Sequence, residues 1–580
     1  MGTAIEANSR YDSVSLALAG SGGAGVMTAG NMLLEAAAQA GYYGLMTRTS
    51  GPQIRGGEAA AMVRVSTFAT DSQDDCFQIL AAIDWQNVGR FAAEIPLGAA
   101  SLLIGDATHG EPPEQFTRTG ARVLSAPFKQ LAKSIPGGWP NMVALGVLGG
   151  LMRLPESALR AAVEKSNRKG GDARAAGLAA VALGLAEAEK LGSAFALAPP
   201  KSTKSPRWLV TGNEAAGYGA LQGGVRFVAA YPITPATELL EWMAPALIKL
   251  GGGLVQAEDE LASINMILGA SYGGVPALTA TSGPGLALMS EAIGLGVAAE
   301  IPIVVVDVMR TGPSTGIATK TEQADLNIAM YGLHGDAPHV VIAPNSVADC
   351  LAATQWAVEL AESLQVPAIV LSDQYFGQAR AIVDRPDSVE SKPSRLRAAA
   401  NAAGYQRYAI TASGVSPMAI PGTRGVAYTA DGLEHNEKGT PSSQPADHLA
   451  QMEKRSRKLT SLDCGEGWAS TEGEGDIAVL TWGSCTSPVR DGLARARADG
   501  VNARLISMRL FSPVQPERLK QALQGVKRVL VVEQSFSGQF HRYLRAEYDL
   551  PGEVQTLRRP GPLPIRPDEI HRRLLQWCQA

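Results

Sequence analysis

The chain has 580 residues, with 51 Lys and Arg against 55 Asp and Glu for a net charge of −4, so no basic footprint for nucleic acid is expected and the length suits three or four domains. An aromatic share of 6% beside 63 glycines suits tightly turned α/β units. Cys76, Cys350, Cys464, Cys485 and Cys578 form no Cys-x-x-Cys pair, which argues against a disulfide framework and against an iron–sulfur cluster held by this chain alone.

Met1-Gly-Thr-Ala-Ile-Glu6 lacks the apolar core of a signal peptide and departs from the myristoylation pattern at its sixth residue, so a cytoplasmic location is expected. Val14 to Ala19 reads as a short strand, followed by Gly20-Ser-Gly-Gly-Ala-Gly25 and a helical pattern through Ala40. Gly20, Gly22 and Gly25, with Gly23 between, satisfy the dinucleotide pattern G-x-G-x-x-G. The next strand, Tyr42 to Thr47, leads into Arg48 instead of the acid that holds an NAD ribose. An NADP reading therefore stands beside a purely structural strand-to-helix turn.

A first unit is expected over 1–197 and a Pro- and Lys-rich linker over 198–206. A second unit, 207–395, alternates the strand candidates Val225–Ala230, Ala277–Thr281, Ile303–Val308 and Ala368–Leu371 with helical segments, predicting a parallel, doubly wound α/β sheet. Residues 261–290 carry no charge, but their glycines and prolines fit an α/β core with a ligand loop better than a membrane span. Residues 396–470 read as an irregular connecting segment. Its run Lys454-Arg-Ser-Arg-Lys458 is most simply a solvated linker, and alternatively a dock for an acidic electron carrier. The last unit, 471–580, has strand candidates Ile477–Thr481, Ala503–Ser507 and Val529–Val532.

Three features carry chemistry. Tyr231-Pro-Ile-Thr-Pro235 follows a buried strand and opens a helical pattern. Thr234 falls at the expected N-cap and Pro235 at the first helical position, where free amides and the helix dipole suit a carboxylate. Glu260 begins the uncharged run and is suitably placed for a dry pocket, which raises a carboxylate's proton affinity. Glu258 and Asp259 compete with it, and an exposed acidic turn would account for all three. Arg310 follows the strand Ile303–Val308, at the kind of strand end where open α/β sheets collect ligands. A guanidinium there can grip a carboxylate through two parallel hydrogen bonds, although a surface ion pair is the ordinary explanation.

These residues, with Gly212-Asn-Glu-Ala-Ala-Gly217, Thr281-Ser-Gly-Pro-Gly285, Arg310-Thr-Gly-Pro-Ser-Thr-Gly316, Thr319-Lys-Thr-Glu-Gln323 and Gly432-Leu-Glu-His435, closely resemble the α subunit of 2-oxoacid:ferredoxin oxidoreductases. These are thiamine-diphosphate enzymes that form acyl-CoA, and the N-terminal part resembles the family's γ subunit. The resemblance implies a γ-type α/β domain, a thiamine pyrimidine-binding domain and a transketolase C-terminal-like domain. It assigns Glu260, with Glu258 second, to the aminopyrimidine, where a carboxylate favours the imino tautomer; Thr281 and Ser282 are further cofactor-binding candidates. It assigns Tyr231, Pro232, Ile233, Thr234, Pro235 and Arg310 to the 2-oxoacid, with Thr315 and Thr319 as second-tier candidates. Gly20, Gly22, Gly23, Gly25 and Arg55 are candidates for the coenzyme A path.

The Gly-Asp-Gly motif that commonly begins a thiamine-diphosphate and magnesium site is absent. The resemblance accounts for this with a separate β subunit that holds the diphosphate, Mg2+ and a [4Fe-4S] cluster in an (αβ)2 assembly serving ferredoxin. The expected reaction converts 2-oxoglutarate to succinyl-CoA, or the reverse. Pyruvate and branched-chain 2-oxoacids stay open as substrates. Two other classes also stand: an NADP-dependent dehydrogenase and a non-catalytic scaffold subunit.

Overall fold

The computed structural model describes residues 10–51, 57–166, 170–192, 195–201, 206–386 and 394–579. Their contacts divide into two units: Met1–Val210 with Ala379–Pro386 and Arg566–Asp568, and Thr211–Gln378 with Asp387–Ile565 and Glu569–Ala580. Among the described residues no helix is long and apolar enough to cross a membrane.

The first unit is built on an eight-stranded mixed sheet. Its strands lie in the order Arg122–Ser125, Leu102–Gly105, Ile79–Ala82, Ser13–Gly20, Ala59–Ser66, Tyr43–Ser50, Arg380–Asp384 and Arg207–Thr211. Ser13–Gly20 is buried from its second residue onward, as expected of a near-continuous apolar run inside a covered sheet. The helix Val26–Gln39 turns Met32, Leu33, Ala36 and Ala37 into the core. Ala59–Ser66 runs antiparallel between Ser13–Gly20 and Tyr43–Ser50, which separates the two strands that a dinucleotide-binding unit places side by side. The expected limit at 197 is too early, because two later strands complete this sheet. Arg380–Asp384 pairs antiparallel with Tyr43–Ser50; the Tyr43 hydroxyl donates to Asp384 at 2.8 Å, and the Arg207 guanidinium lies 3.7 Å from the Tyr43 ring centroid.

The second unit contains two sheets. The larger runs in the order Leu510–Ser512, Val340–Ile342, Ala368–Asp373, Val304–Met309, Ala277–Thr281, Phe227–Ala230 and Gly253–Gln256. All neighbours are parallel except the edge strand Leu510–Ser512. The smaller sheet runs Ala469–Glu472, Ala503–Met508, Ile477–Trp482, Arg528–Glu533 and Glu553–Arg558, again with one antiparallel edge. Helices alternate with the parallel strands, so the chain is of the expected α/β class.

The connecting segment departs from expectation. Pro445–Thr460 is a helix, and the run Lys454 to Lys458 lies on it instead of in a solvated linker. One helical turn places Lys454 and Lys458 on the same side, where both are fully buried against Glu300. Lys454 donates to one Glu300 oxygen. Lys458 donates to the other at 2.6 Å and to the Gln365 carbonyl at 3.1 Å. The buried Arg407 guanidinium stands 3.9 Å from the same carboxylate, and Arg455 pairs with Glu434 at 2.7 Å. Lys454, Arg455 and Lys458 are thus spent inside the fold, and half-buried Arg457 donates to the Thr411 carbonyl at 2.9 Å, which leaves the run little free charge for an acidic electron carrier.

Candidate active site

The strands Phe227–Ala230, Ala277–Thr281 and Val304–Met309 are parallel neighbours, so their carboxyl ends open on one edge of the sheet. From the first end the chain enters Tyr231–Pro235, but the helix starts only at Thr237, with Ala236 at its N-cap. Thr234 is therefore not the N-cap, and Pro235 is not the first helical residue. The intervening residues form a turn closed by the Ala236 amide on the Ile233 carbonyl at 2.8 Å. The Thr234–Pro235 peptide is cis. Asn213, from the helix Gly212–Gln222, donates to the Pro235 carbonyl at 2.9 Å. Tyr231 is exposed, and Pro232, Ile233 and Thr234 are half-buried.

Arg310, at the end of the third strand, is buried and donates through Nη1 to the Thr234 carbonyl at 2.7 Å. The structure thus brings the two strand-end candidates into contact, through the backbone of one and the guanidinium of the other. The buried Arg310 Nε has no acceptor among the described residues. Thr315 stands exposed in the loop that follows and Thr319 is half-buried. The base of that loop is closed by the Thr311 amide on the Lys320 carbonyl and the Ile317 amide on the Thr311 carbonyl, both 3.0 Å.

The three acidic residues at the next helix separate by position. Asp259 is the N-cap and accepts from the Ala262 amide at 2.7 Å. Glu258 is exposed, whereas Glu260 opens the helix Glu260–Tyr272 and is buried. Its approach to the turn after Ala277–Thr281 depends on Gly285. A Cβ there would stand 2.0 Å from Thr281 Oγ1 and 2.8 Å from Glu260 Cγ. Ser282 is fully buried, and its hydroxyl finds no partner among the described residues.

Two residues that sequence reasoning missed lie in the same region. Asp307 sits opposite Thr281 in the strand register and is fully buried. Asp325 lies against Gly283, where an added Cβ would come within 2.6 Å of Asp325 Oδ1. Burial, then the charge and contact of Asp325, push the Asp307 carboxyl well above the usual range. Burial raises Asp325 to about 7; contact with Asp307 and the charge of Arg310 oppose the shift, and Glu322 reinforces it. Burial also lowers Arg310, and the two aspartates act the other way; an arginine nevertheless keeps its charge at neutral pH. The available signal was a lone acid inside the otherwise apolar strand candidate Ile303–Val308.

In the first unit the glycine turn is already engaged. The Ser21 amide and hydroxyl donate to Asp84 at 3.0 and 2.7 Å, so an approaching phosphate would meet a carboxylate. Gly25, at φ 79°, caps the helix Val26–Gln39 and accepts from Asn141 at 3.0 Å. Gly20 ends the strand Ser13–Gly20, and Gly22 and Gly23 form the turn after it, Gly23 at φ 89°. With the strand insertion described above, this geometry removes the basis for a dinucleotide site. Arg55 lies outside the described residues.

Residues 218–455 match the family model for the thiamine diphosphate-binding region of pyruvate flavodoxin/ferredoxin oxidoreductase, and residues 15–187 match that for pyruvate ferredoxin/flavodoxin oxidoreductase. The chain is 34% identical over 374 residues to the 2-oxoglutarate synthase subunit KorA of Methanothermobacter marburgensis, covering 63% of this chain and 98% of that one. A 2-oxoacid:ferredoxin oxidoreductase subunit alpha from Sulfolobus sp. is 29% identical over 584 residues, 91% of each chain. The solved 2-oxoglutarate:ferredoxin oxidoreductase from Magnetococcus marinus, with 2-oxoglutarate, coenzyme A and succinyl-CoA bound, matches at a TM-score of 0.90 and 36% identity. That match covers 98% of this chain and 100% of the other.

Proposed function

The chain belongs to the 2-oxoacid:ferredoxin oxidoreductase family as an α subunit with a γ-type domain ahead of it, and we propose on that footing that its substrate is 2-oxoglutarate. The overall reaction takes 2-oxoglutarate and CoA to succinyl-CoA, carbon dioxide and one proton, with two electrons passing singly to ferredoxin; the reverse reaction is the reductive carboxylation. Relatives named for 2-oxoglutarate support this choice over pyruvate and branched-chain 2-oxoacids.

The residues of the second unit fit the aminopyrimidine of thiamine diphosphate. Buried Glu260, the unpartnered Ser282 hydroxyl and the Cβ-free approach at Gly285 converge on one strand-to-helix turn. Glu260, Thr281 and Ser282 would hold the ring there. Bound thiamine diphosphate would supply a nucleophilic carbon for the keto group, and Glu260 would share a proton with the ring and favour its imino form. Arg310 grips the 2-oxoacid carboxylate and holds the keto carbon in place, while Thr234 borders the same strand end and Thr315 and Thr319 line the outer loop. The contact that carries this reading is Arg310 Nη1 on the Thr234 carbonyl at 2.7 Å, because it fixes the guanidinium at the strand ends where the 2-oxoacid is placed.

A β subunit supplies the diphosphate site, Mg2+ and the [4Fe-4S] cluster, in an (αβ)2 assembly in the cytoplasm. The absent Gly-Asp-Gly and Cys-x-x-Cys motifs support that division. Coenzyme A is assigned to the γ-type unit, with Arg55 as a candidate phosphate contact.

The test is to purify the chain with its native β partner and measure CoA-dependent ferredoxin reduction by 2-oxoglutarate, pyruvate and branched-chain 2-oxoacids. The highest kcat/KM is expected for 2-oxoglutarate. Preference for another 2-oxoacid overturns the substrate assignment, and reduction by rigorously partner-free chain overturns the division of labour. Unchanged turnover after replacing Glu260 and Arg310 would favour the scaffold reading.

A further inference from the structure

Asp307 presents a problem of charge that the proposed reaction does not resolve. It is fully buried, and neither carboxyl oxygen receives an N–H or O–H donor among the described residues. The group that faces it is another carboxyl, Asp325, whose Oδ2 is shut from solvent and equally without a donor. Two ionised carboxylates cannot hydrogen-bond to each other, and a buried acceptor without a donor is costly. One proton between them gives each carboxyl a hydrogen bond and removes one of the two charges, as in other carboxyl pairs that cannot both ionise. The charged groups acting on this pair are Arg310 at the end of the same strand and Glu322 in the segment leading to Asp325.

With one shared proton the pair carries a single negative charge, which balances Arg310. A 2-oxoacid carboxylate arriving at the guanidinium adds a second negative charge in a poorly solvated place. A second proton on the pair restores the balance. Asp325 keeps some exposure and Asp307 has none, so Asp325 offers the route by which that proton arrives from solvent.

We propose that Asp307 and Asp325 form a one-proton counter-charge behind Arg310, positioning the guanidinium and taking up a second proton from solvent when the 2-oxoacid's carboxylate binds. The inference rests on the assignment of Arg310 to that carboxylate. Neither aspartate touches substrate; both are positioning residues. The raised proton affinity of Asp325, to about 7, puts the exchange near neutrality. The sign is determined by the charge count. Bound substrate raises the pair's proton affinity, so the complex holds more protons than the free enzyme. Binding must weaken as pH rises above about 7, by at most tenfold per unit for one proton.

The experiment uses the complete complex with its β partner. Calorimetric titration with 2-oxoglutarate in two buffers of different ionisation enthalpy counts the protons taken up, and KM is followed from pH 6.5 to 8.5. Net uptake of a fraction of a proton and a three- to tenfold rise in KM are expected, with kcat changing less. Asp325→Asn and Asp307→Asn each place an amide donor on the remaining carboxylate and pin it ionised, so both should abolish the uptake and flatten KM. If 2-oxoglutarate is turned over without proton uptake in the parent complex, the carboxyl-pair role is overturned and the reaction assignment stands. Uptake that persists unchanged in both variants also overturns the pair. If no 2-oxoacid binds, the reading of the site fails first and this one with it. The parent measurement requires no variant to fold.

Discussion

Replacing Glu300 by Gln removes one carboxylate from a place where three cations converge. Lys454 and Lys458 both donate to it and Arg407 stands 3.9 Å away, with all four side chains at most 1% exposed. The substituted amide would keep the shape and part of the hydrogen bonding but leave those cations without a counter-charge. Removing one partner of a buried ion pair costs about 3–5 kcal/mol. At about 1.4 kcal/mol per factor of ten, that is roughly a hundred- to several-thousandfold increase in local opening. The helix Pro445–Thr460, which carries both lysines, should bear the effect. Its amide hydrogen-exchange protection should fall by that factor, once intrinsic exchange is normalised, while the remote strands Ser13–Gly20 and Ile477–Trp482 keep theirs.

The pH dependence supplies a second reading of the same variant. Burial pulls Lys458 down to about 7 and Lys454 to about 8, against the opposing pull of Glu300. The folded state therefore binds fewer protons than the unfolded state from about pH 7 to the ordinary lysine value near 10, and stability rises with pH through that window. Glu300 acts in the same direction at lower pH: against the upward push of burial, its cations hold its folded value far below the usual carboxylate range, so its contribution is lost progressively as the pH falls through and below that range. Glu300→Gln should hurt most at pH 6, where both lysines are charged, and least at pH 9, where they can shed protons. Unchanged protection of Pro445–Thr460, or a defect of equal size at both pH values, would refute the counter-charge argument.

Glu260→Gln should slow turnover and cofactor C2–H exchange by at least a hundredfold with β-subunit assembly retained, and Glu258→Gln should not; the reverse pattern transfers the role. Arg310→Lys keeps the charge but loses the planar two-point grip. At about 1.5–3 kcal/mol per charge-assisted hydrogen bond, kcat/KM should fall roughly tenfold to a few hundredfold; near-parent efficiency with every 2-oxoacid refutes the clamp. Thr234→Val should impair the same step less, because the carbonyl that holds Arg310 at 2.7 Å survives the change, and a loss as large as that of Arg310→Lys would contradict this. Gly285→Ala places a methyl 2.0 Å from Thr281 Oγ1 and 2.8 Å from Glu260 Cγ. A displacement of about 1 Å at a reacting group costs on the order of a hundredfold, and parent activity in a folded, assembled variant would show that the turn has room to yield.

The central strands were legible because buried parallel strands are written as short apolar runs closed by glycine, proline or a charge. Arg310 and Thr234 could be paired from sequence because each follows such a run, yet their actual link, a carbonyl accepting from a guanidinium, uses an atom every residue possesses. The N-cap at Thr234 was misplaced for a related reason: Ser, Thr and Asp favour caps statistically, but here the helix begins after Ala236. Lys454 and Lys458 looked solvated because their partner, Glu300, lies 154 residues before Lys454, and no local pattern distinguishes a lysine facing water from one facing a buried carboxylate. Asp307 left a visible trace, a charge in an apolar strand; Asp325 acquires its meaning only when folding brings it to Gly283 and Asp307.

The first unit's dependence on Arg380–Asp384 has a consequence for synthesis on the ribosome. Strands Ser13–Gly20, Tyr43–Ser50 and Ala59–Ser66 emerge early, but the strand that covers the outer edge of Tyr43–Ser50 is made more than 300 residues later. At about 5–20 residues per second the nascent edge waits roughly 15 to 60 seconds for its partner. During that interval its unpaired amides and carbonyls are open to any other extended chain. A gene break between the two parts would make the wait indefinite unless the separated products met, so the fusion keeps the missing strand tethered to the edge that needs it.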